Sequence, residues 1–370
     1  YSLKFLWAPL LDRLRLPLLG RLGLRRSWLL LAMGTVIAGL VGMSLIGPDA
    51  LAPFVWLTLA VAFAGATLDI AVDAYRVEIA APEHQGALVA TYSLGYRIAL
   101  IVTGAVALVL ADHISWQWVY RIMAAAMALP LLMVLFAREP DVRRVQTHGW
   151  AEGLREGVVA PFADFFARFG WGTAALLLLF ILSMKISDQA LVGGIIGPFY
   201  LDQGFSKTEI AAVTKVYGIW IGIAGTFIGG LAVARWGVQW PLLVAIVLGA
   251  ASNLLYLLLI GADGDVGLLT VVISGENLAQ GLLGTCAVAY MSSLINLRYT
   301  ATQYALFSSL IMLPGKVLGF YSGAIVEAYS GYASYFWLST VLALPAVGLF
   351  FVLRRRQALV VSSGVPDQGG

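Results

Sequence analysis

Four ionisable residues crowd the end of an otherwise apolar run, LDIAVDAYRVEIA over residues 68–80: Asp69, Asp73, Arg76 and Glu78. Asp69 and Asp73 are one helical turn apart and Arg76 follows seven residues after Asp69, so on a helix the three share a stripe. Paired acids beside a base can hold a proton, and the same set can lock two helical bodies together as a gate; gating is the first reading, and Glu78 reads as solvated. Lys185 and Asp188 in SMKISDQAL are three apart on one helical face, near the middle of another apolar run. They can serve transport, or form an ion pair that simply holds two helices. Glu276, Asn277 and Gln280 in SGENLAQGLLGT form a polar cluster at helical spacing. A carboxylate flanked by amides can bind a proton or a hydroxyl-rich molecule, or act as interhelical glue, with Gly275, Gly281 and Gly284 allowing close helix approach. Arg97 and Lys316 lie near mid-depth of their runs and Lys215 nearer an end. Arginine suits a carboxylate through its planar fork, whereas lysine is a mobile point charge; each can equally be the counter-ion to an acid nearby.

The elements that must position these residues follow from composition. Of 370 residues, 60% are hydrophobic and only 12% charged, against about 25% charged in soluble domains, and the mean hydropathy is +0.88. Apolar runs of membrane-spanning length recur, each long enough to cross a hydrocarbon core roughly 30 Å thick at about 1.5 Å per helical residue. Their length is that of helices, not of the ten-residue alternations of barrels. The fold class is an all-α polytopic membrane protein. Spans are expected at 28–47, 53–75, 86–111, 116–136, 172–199, 209–233, 239–260, 266–295, 303–326 and 333–353, preceded by an apolar stretch up to Leu11 that reads as the tail of a further helix.

Loops alternate in charge. One set holds Arg13 to Arg26, Arg76, the group from Arg138 to Arg168, Arg235, Arg298 and Arg354 to Arg356; the other holds Asp49, Asp112, Asp202, Asp263 and Asp265 with Lys207 the exception. The positive-inside rule makes the first set cytoplasmic. The formal charge of +3 therefore reports topology, and no nucleic-acid partner is expected. One more helix, and the rest of the partial one, would complete twelve spans with both termini inside. The expected domains are a partial N-terminal bundle at 1–136, a cytoplasmic central loop at 137–171, a C-terminal bundle at 172–356 and a disordered tail at 357–370. Phe162, Phe165, Phe166 and Phe169 sit at helical spacing in the central loop with Arg155 and Arg168 nearby, which suits a helix lying in the membrane interface or one packed under the bundle. Two six-helix halves around a central loop are the plan of major facilitator transporters, whose substrates bind near the bilayer midplane.

Enzymatic constellations are missing. His84, His113 and His148 lack metal-ligand spacing, the single cysteine, Cys286, permits no intrachain disulfide, and there is no GxSxG, Walker lysine motif or GxGxxG after a strand. No catalytic residue, metal or cofactor is expected. KFLWAPLLDR with its basic loop and RRSWLL, then DIAVDAYRVE, LGYRIAL, VVAPFADFFAR, GAASNLLY, ENLAQGLLGT and TATQYALFSSL in this order resemble the AmpG-type muropeptide permeases of Gram-negative bacteria, from the first residue to about Arg356.

That resemblance implies import of N-acetylglucosaminyl-1,6-anhydro-N-acetylmuramyl peptides from periplasm to cytoplasm, driven by the proton gradient across the inner membrane, for peptidoglycan recycling. It also implies a part in β-lactam resistance where an inducible β-lactamase is present. Partners would be the anhydromuropeptide, protons and the lipid bilayer. The matched intramembrane positions are Lys4, Trp7, Asp12, Asp69, Asp73, Arg97, Lys185, Asp188, Lys215, Asn253, Glu276, Asn277 and Gln303. As implied roles, Trp7, Arg97, Lys185, Lys215, Asn253, Asn277, Gln280, Gln303 and Lys316 would bind substrate; Asp188 and Glu276 would couple protons; Asp12, Arg13, Asp69, Asp73 and Arg76 would gate. Trp7 could stack on a sugar ring or serve only as an interface anchor. The alternatives are another cargo on the same frame, such as acetyl-CoA or a drug, and a non-transporting membrane protein such as a lipid scramblase or a receptor.

Overall fold

The structure, a computed structural model, describes residues 3–46, 50–80, 84–141, 159–192, 195–328 and 331–356. Asp49, His148, Arg155, most of the central loop and the expected disordered tail at 357–370 lie outside the described residues. Every described element is helical, and ten helical stretches are long and apolar enough to cross a membrane among the described residues. Most bounds follow the expected spans within a few residues, but the stretch expected at 172–199 qualifies only over Trp171–Ala190 and that expected at 303–326 extends over Leu297–Ala328. The outer faces are apolar too: Phe320 is 81% and Leu231 70% exposed, as helices bathed in hydrocarbon require.

Contacts divide the chain into two compact units. The first comprises Tyr1–Ala81, Gly95–Ala163 and Ile295–Leu306. It opens with a 3-10 turn at Lys4–Leu6 and the short helix α1 (Ala8–Arg13), followed by α2 (Leu24–Ile46) and α3 (Leu51–Ile79). A third span begins with α4 (Gln85–Leu100), whose residues up to Leu94 are counted in the second unit, widens into a π-helical stretch at Ile101–Val106 and ends as α5 (Ala107–His113); α6 (Trp116–Phe136) follows. Helix α2 packs along both α3 and α6. Ala8, Leu11, Trp28, Ile70, Ala71 and Ala74 form the unit's core beside Ala301 and Ala305.

The second unit comprises Pro82–Leu94, Asp164–Leu294 and Phe307–Gly370. After α7 (Ala160–Phe169), its first span is broken into α8 (Trp171–Ser183), α9 (Ile186–Val192) and α10 (Ile196–Asp202). The next starts as α11 (Lys207–Ile210), passes through a π-helical stretch at Ala211–Tyr217 and continues as α12 (Gly218–Trp236). Then come α13 (Gln239–Ser252) with a 3-10 extension at Asn253–Leu259, α14 (Val266–Ser293), α15 (Thr300–Ala328), whose residues up to Leu306 are counted in the first unit, α16 (Tyr332–Val341) and α17 (Leu344–Arg355). Ser206 and Glu209 cap α11 reciprocally, and Asp265 accepts from the backbone of Gly267 and Leu268 at the start of α14, each relieving orphan N–H groups. Phe199, Tyr256 and Phe336 form an aromatic core, with ring centroids 4.9 Å apart for Phe199–Phe336 and 5.2 Å for Tyr256–Phe336.

The phenylalanines of α7 share one face as their spacing predicts. Phe165 is buried, 5.4 Å from the ring of Phe307, and Phe166 stacks on Trp171 at 4.3 Å. Arg168 ties the helix end down by donating to the carbonyl of Leu294 at 3.1 Å.

Close approach of α12 and α14 depends on glycine. A Cβ on Gly281 would lie 2.3 Å from the carbonyl oxygen of Gly222, and one on Gly225 2.3 Å from that of Leu278. Gly275 faces a side chain instead, Leu255. Gly284 departs from the expectation: a Cβ there would meet nothing within 4 Å, because it faces away from the contact. Gly281→Ala is therefore expected to cost about 1–3 kcal/mol by forcing backbone apart, read as a lowered melting temperature in detergent. Gly284→Ala should leave it unchanged or slightly raised.

Candidate functional site

Two buried charge networks lie in the first unit. Lys4, carried on the 3-10 turn before α1, is 5% exposed. Its ammonium contacts Asp69 Oδ2 and lies 3.5 Å from Asp73 Oδ2. The one-turn spacing of the two acids on α3 lets a single cation bridge both. Asp73 continues to Arg76 Nη2 at 3.9 Å, and the Arg76 guanidinium lies over the ring of Tyr304 at 5.3 Å. The predicted stripe is thus real, and its central partner is Lys4, which helical spacing within α3 could not reveal.

The second network centres on Arg25, which is fully buried. Its Nη2 donates to Asp12 Oδ1 at 2.7 Å and Glu78 Oε1 at 2.6 Å, its Nε to Glu78 Oε2 at 2.9 Å and its Nη1 to the Leu11 carbonyl at 2.8 Å. Two expectations are corrected here. Glu78 is not solvated: its side chain has no exposed surface. Arg25 belongs not to a basic loop but to the first turn of α2, where the Glu139 carboxylate accepts from the backbone N–H groups of Arg25 and Arg26 at 2.8 and 3.0 Å. Asp12 has a further role, accepting from the backbone of Ala301 and Thr302 at 3.0 and 2.9 Å and from the Thr302 hydroxyl at 2.7 Å. A carboxylate there satisfies orphan donors and the positive end of α15 together.

The other residues predicted for the first unit are placed singly. Trp7 donates to Thr67 Oγ1 at 3.2 Å and lies 4.8 Å from the ring of Phe63. Gln303 is 2% exposed, its amide donating to the Pro161 carbonyl and accepting from Asn296 N. Arg97 is half-buried and joins no ion pair among the described residues; Arg13 is half-buried at the end of α1.

In the second unit the polar residues coincide with departures from α-helical geometry. Lys185 occupies the break between α8 and α9 and pairs with Asp188 at 3.3 Å. Asn253 opens a 3-10 stretch and donates to the Ser187 carbonyl, Ser187 Oγ and Ser339 Oγ at 3.0–3.1 Å, which fastens the break. Lys215 sits on the π-helical stretch, and Lys316 is exposed on α15.

Lys215, Glu276, Asn277 and Gln280 line one cavity of about 380 Å³, completed by Ile196, Gly197, Tyr200, Ile210, Thr214, Tyr256 and Ile273. Glu276 Oε1 accepts from Gln280 Nε2, and Oε2 accepts from Asn277 Nδ2 at 3.1 Å. The Tyr200 and Tyr256 hydroxyls are 3.3 Å apart. Spacing located the carboxylate and amides, but not the tyrosines, which enter from other spans. Broken or widened helices around a polar pocket at membrane depth mark the binding regions of secondary transporters. A membrane-embedded bundle with a polar cavity of this kind is a solute carrier rather than an enzyme.

Residues 2–315 match the profile of the Major Facilitator Superfamily, and the chain belongs to that family. It is 33% identical over 364 residues to "Putative transporter AmpG 4" of Rickettsia felis, covering 96% of this chain and 86% of that protein. It is 34% identical over 357 residues to "Anhydromuropeptide permease" of Escherichia coli K12, covering 96% of this chain and 70% of that protein. The resemblance carried by the ordered motifs is borne out. Among solved structures, the Major Facilitator Superfamily transporter FucP in the outward conformation matches with a TM-score of 0.65 at 14% identity, covering 95% of this chain and 96% of that one. The proton:xylose symporter XylE matches with a TM-score of 0.62 at 15% identity, covering 96% and 83%. These two support the fold alone.

Arg25→Met is expected to destabilise the protein by about 3–5 kcal/mol, because Asp12 and Glu78 are left as buried carboxylates without their cation. Arg25→Lys should recover only part of that loss, since one ammonium cannot reproduce the fork. Thermal melting of the three proteins in one detergent checks both.

Proposed function

We propose that the chain imports N-acetylglucosaminyl-1,6-anhydro-N-acetylmuramyl peptides from periplasm to cytoplasm across the bacterial inner membrane, by alternating access, for peptidoglycan recycling. The observation that carries the cargo is the 34% identity, over 96% of this chain, to a protein named for anhydromuropeptide permeation. The polar cavity supports it by offering a carboxylate, an ammonium, two amides and two phenolic hydroxyls to a polar molecule. The alternation of basic and acidic loops supports an orientation with the basic loops in the cytoplasm. A part in β-lactam resistance follows from the same cargo.

Lys215, Asn277 and Gln280 are the substrate ligands the geometry favours, because they line the cavity. Trp7, Asn253 and Gln303 have their polar groups engaged with the protein, which favours a supporting role; Lys185, Arg97 and Lys316 remain candidate contacts for peptide carboxylates. No cofactor is invoked, and the driving force is the proton motive force. Asp188 is its candidate acid: a proton taken up there would release Lys185 beside the broken helix. In the first unit, Asp12, Arg13, Asp69, Asp73 and Arg76 form the gate, whose ion pairs must exchange as the transporter changes state.

The test is uptake of labelled anhydromuropeptide into proteoliposomes containing the protein, with an inside-negative, inside-alkaline gradient imposed or collapsed. Uptake is expected only with the gradient, and Asp188→Asn should slow it roughly tenfold or more. Absence of uptake by folded wild-type protein would overturn the cargo; gradient-driven uptake undiminished in Asp188→Asn would move the proton to another acid.

A further inference from the structure

The buried acids Asp12, Asp73, Glu78 and Asp188 are each ion-paired. Glu276 is not. It shares the cavity of the second unit with Lys215, yet among the described residues neither group takes part in an ion pair. A carboxyl group and an amine line one polar space and form no ion pair with each other. Leaving charges so is costly in hydrocarbon, unless a ligand is to meet them both.

We infer that this cavity receives a zwitterionic amino-acid end of the transported molecule, an ammonium and a carboxylate borne on one carbon, with the ammonium against Glu276 and the carboxylate against Lys215. The inference rests on the proposed function for the molecule that carries this end.

The donor and acceptor pattern supports it. Asn277 and Gln280 spend amide N–H groups on the two oxygens of Glu276. This fixes the orientation of the carboxyl group. Their own amide oxygens accept no hydrogen bond among the described residues. An ammonium offers three donors, which one carboxylate and two amide oxygens can satisfy. Lys215 is exposed on the π-helical stretch, where a long flexible stem lets its charge follow a carboxylate.

The competing occupants fit less well. A neutral sugar would leave both charges unmatched, and a lone carboxylate would be repelled by Glu276. A zwitterion neutralises both walls and adds no net charge to the site. Size agrees: about 380 Å³ lies near the lower end of the roughly 300–1,000 Å³ of small-molecule pockets, room for one end of a disaccharide-peptide and not for the whole.

The test is calorimetric binding to the full chain in detergent, using anhydromuropeptides that differ at one amino-acid end: zwitterionic, N-acetylated, or with the carboxylate converted to carboxamide. Wild-type protein should bind the zwitterionic form roughly tenfold or more tighter than either blocked form. Glu276→Gln should lose discrimination against N-acetylation while keeping that against the carboxamide. Lys215→Gln should do the reverse, a crossed pattern that general loss of structure would not produce. If all forms bind wild type within about twofold, the zwitterion site is overturned and the muropeptide reading stands. If none binds to folded protein, both are overturned.

Discussion

A charge carried into a hydrocarbon-embedded bundle must find its counter-charge there, and for Asp12 and Glu78 that requirement is met by one guanidinium. Arg25 has no exposed surface, and its fork is filled by Asp12, Glu78 and a backbone carbonyl. Arginine suits the position because it presents donors in several directions and does not lose its proton. Through Asp12 the same network reaches the start of α15, so positions 12, 25, 78 and 302 are held by one electrostatic knot. Each partner is costly alone and stable only in company. The order of the surrounding helices therefore depends on the knot being complete.

The second unit meets the same constraint by bending backbone. A broken span frees carbonyls and N–H groups that lipid cannot satisfy, and the amide of Asn253 takes up one of them, the Ser187 carbonyl. The π-helical stretch at Ala211–Tyr217 and the 3-10 stretch at Asn253–Leu259 place Thr214, Lys215 and Tyr256 around the cavity of Glu276. Irregular helices are tolerated here because they line a polar space. Helices α12 and α14, in contrast, meet through glycine backbone, with the Thr285 hydroxyl donating across to the Thr226 carbonyl at 3.3 Å.

The two units thus use charge differently. In the first, Lys4 is closed on Asp69 and Asp73, and Arg25 on Asp12 and Glu78. In the second, Lys185 and Asp188 are closed on one another, while Glu276 and Lys215 line one cavity and form no ion pair among the described residues. A transporter needs both kinds: pairs that exchange partners when the protein moves, and unsatisfied groups that recognise cargo.

Much of this was legible in the sequence alone. Ten apolar runs determined ten spans, because a helix in lipid must be long and apolar whatever it packs against, and ordered motifs determined the family. Local spacing also showed that Asp69, Asp73 and Arg76 share a stripe, that Lys185 faces Asp188, and that Glu276 sits among amides, since a helix brings residues three and four apart together. Partners from other spans were beyond such reasoning. Glu78 looked solvated and Arg25 looked like a loop cation because their mutual contact joins residues 53 apart; Lys4 and Asp69 are 65 apart. Gly284 resembled Gly281, yet only one of them meets a neighbour. Spacing decides which residues share a helix face, whereas only the packing of helices decides what that face meets, and in hydrocarbon what a charge meets decides whether it holds the fold or awaits a ligand.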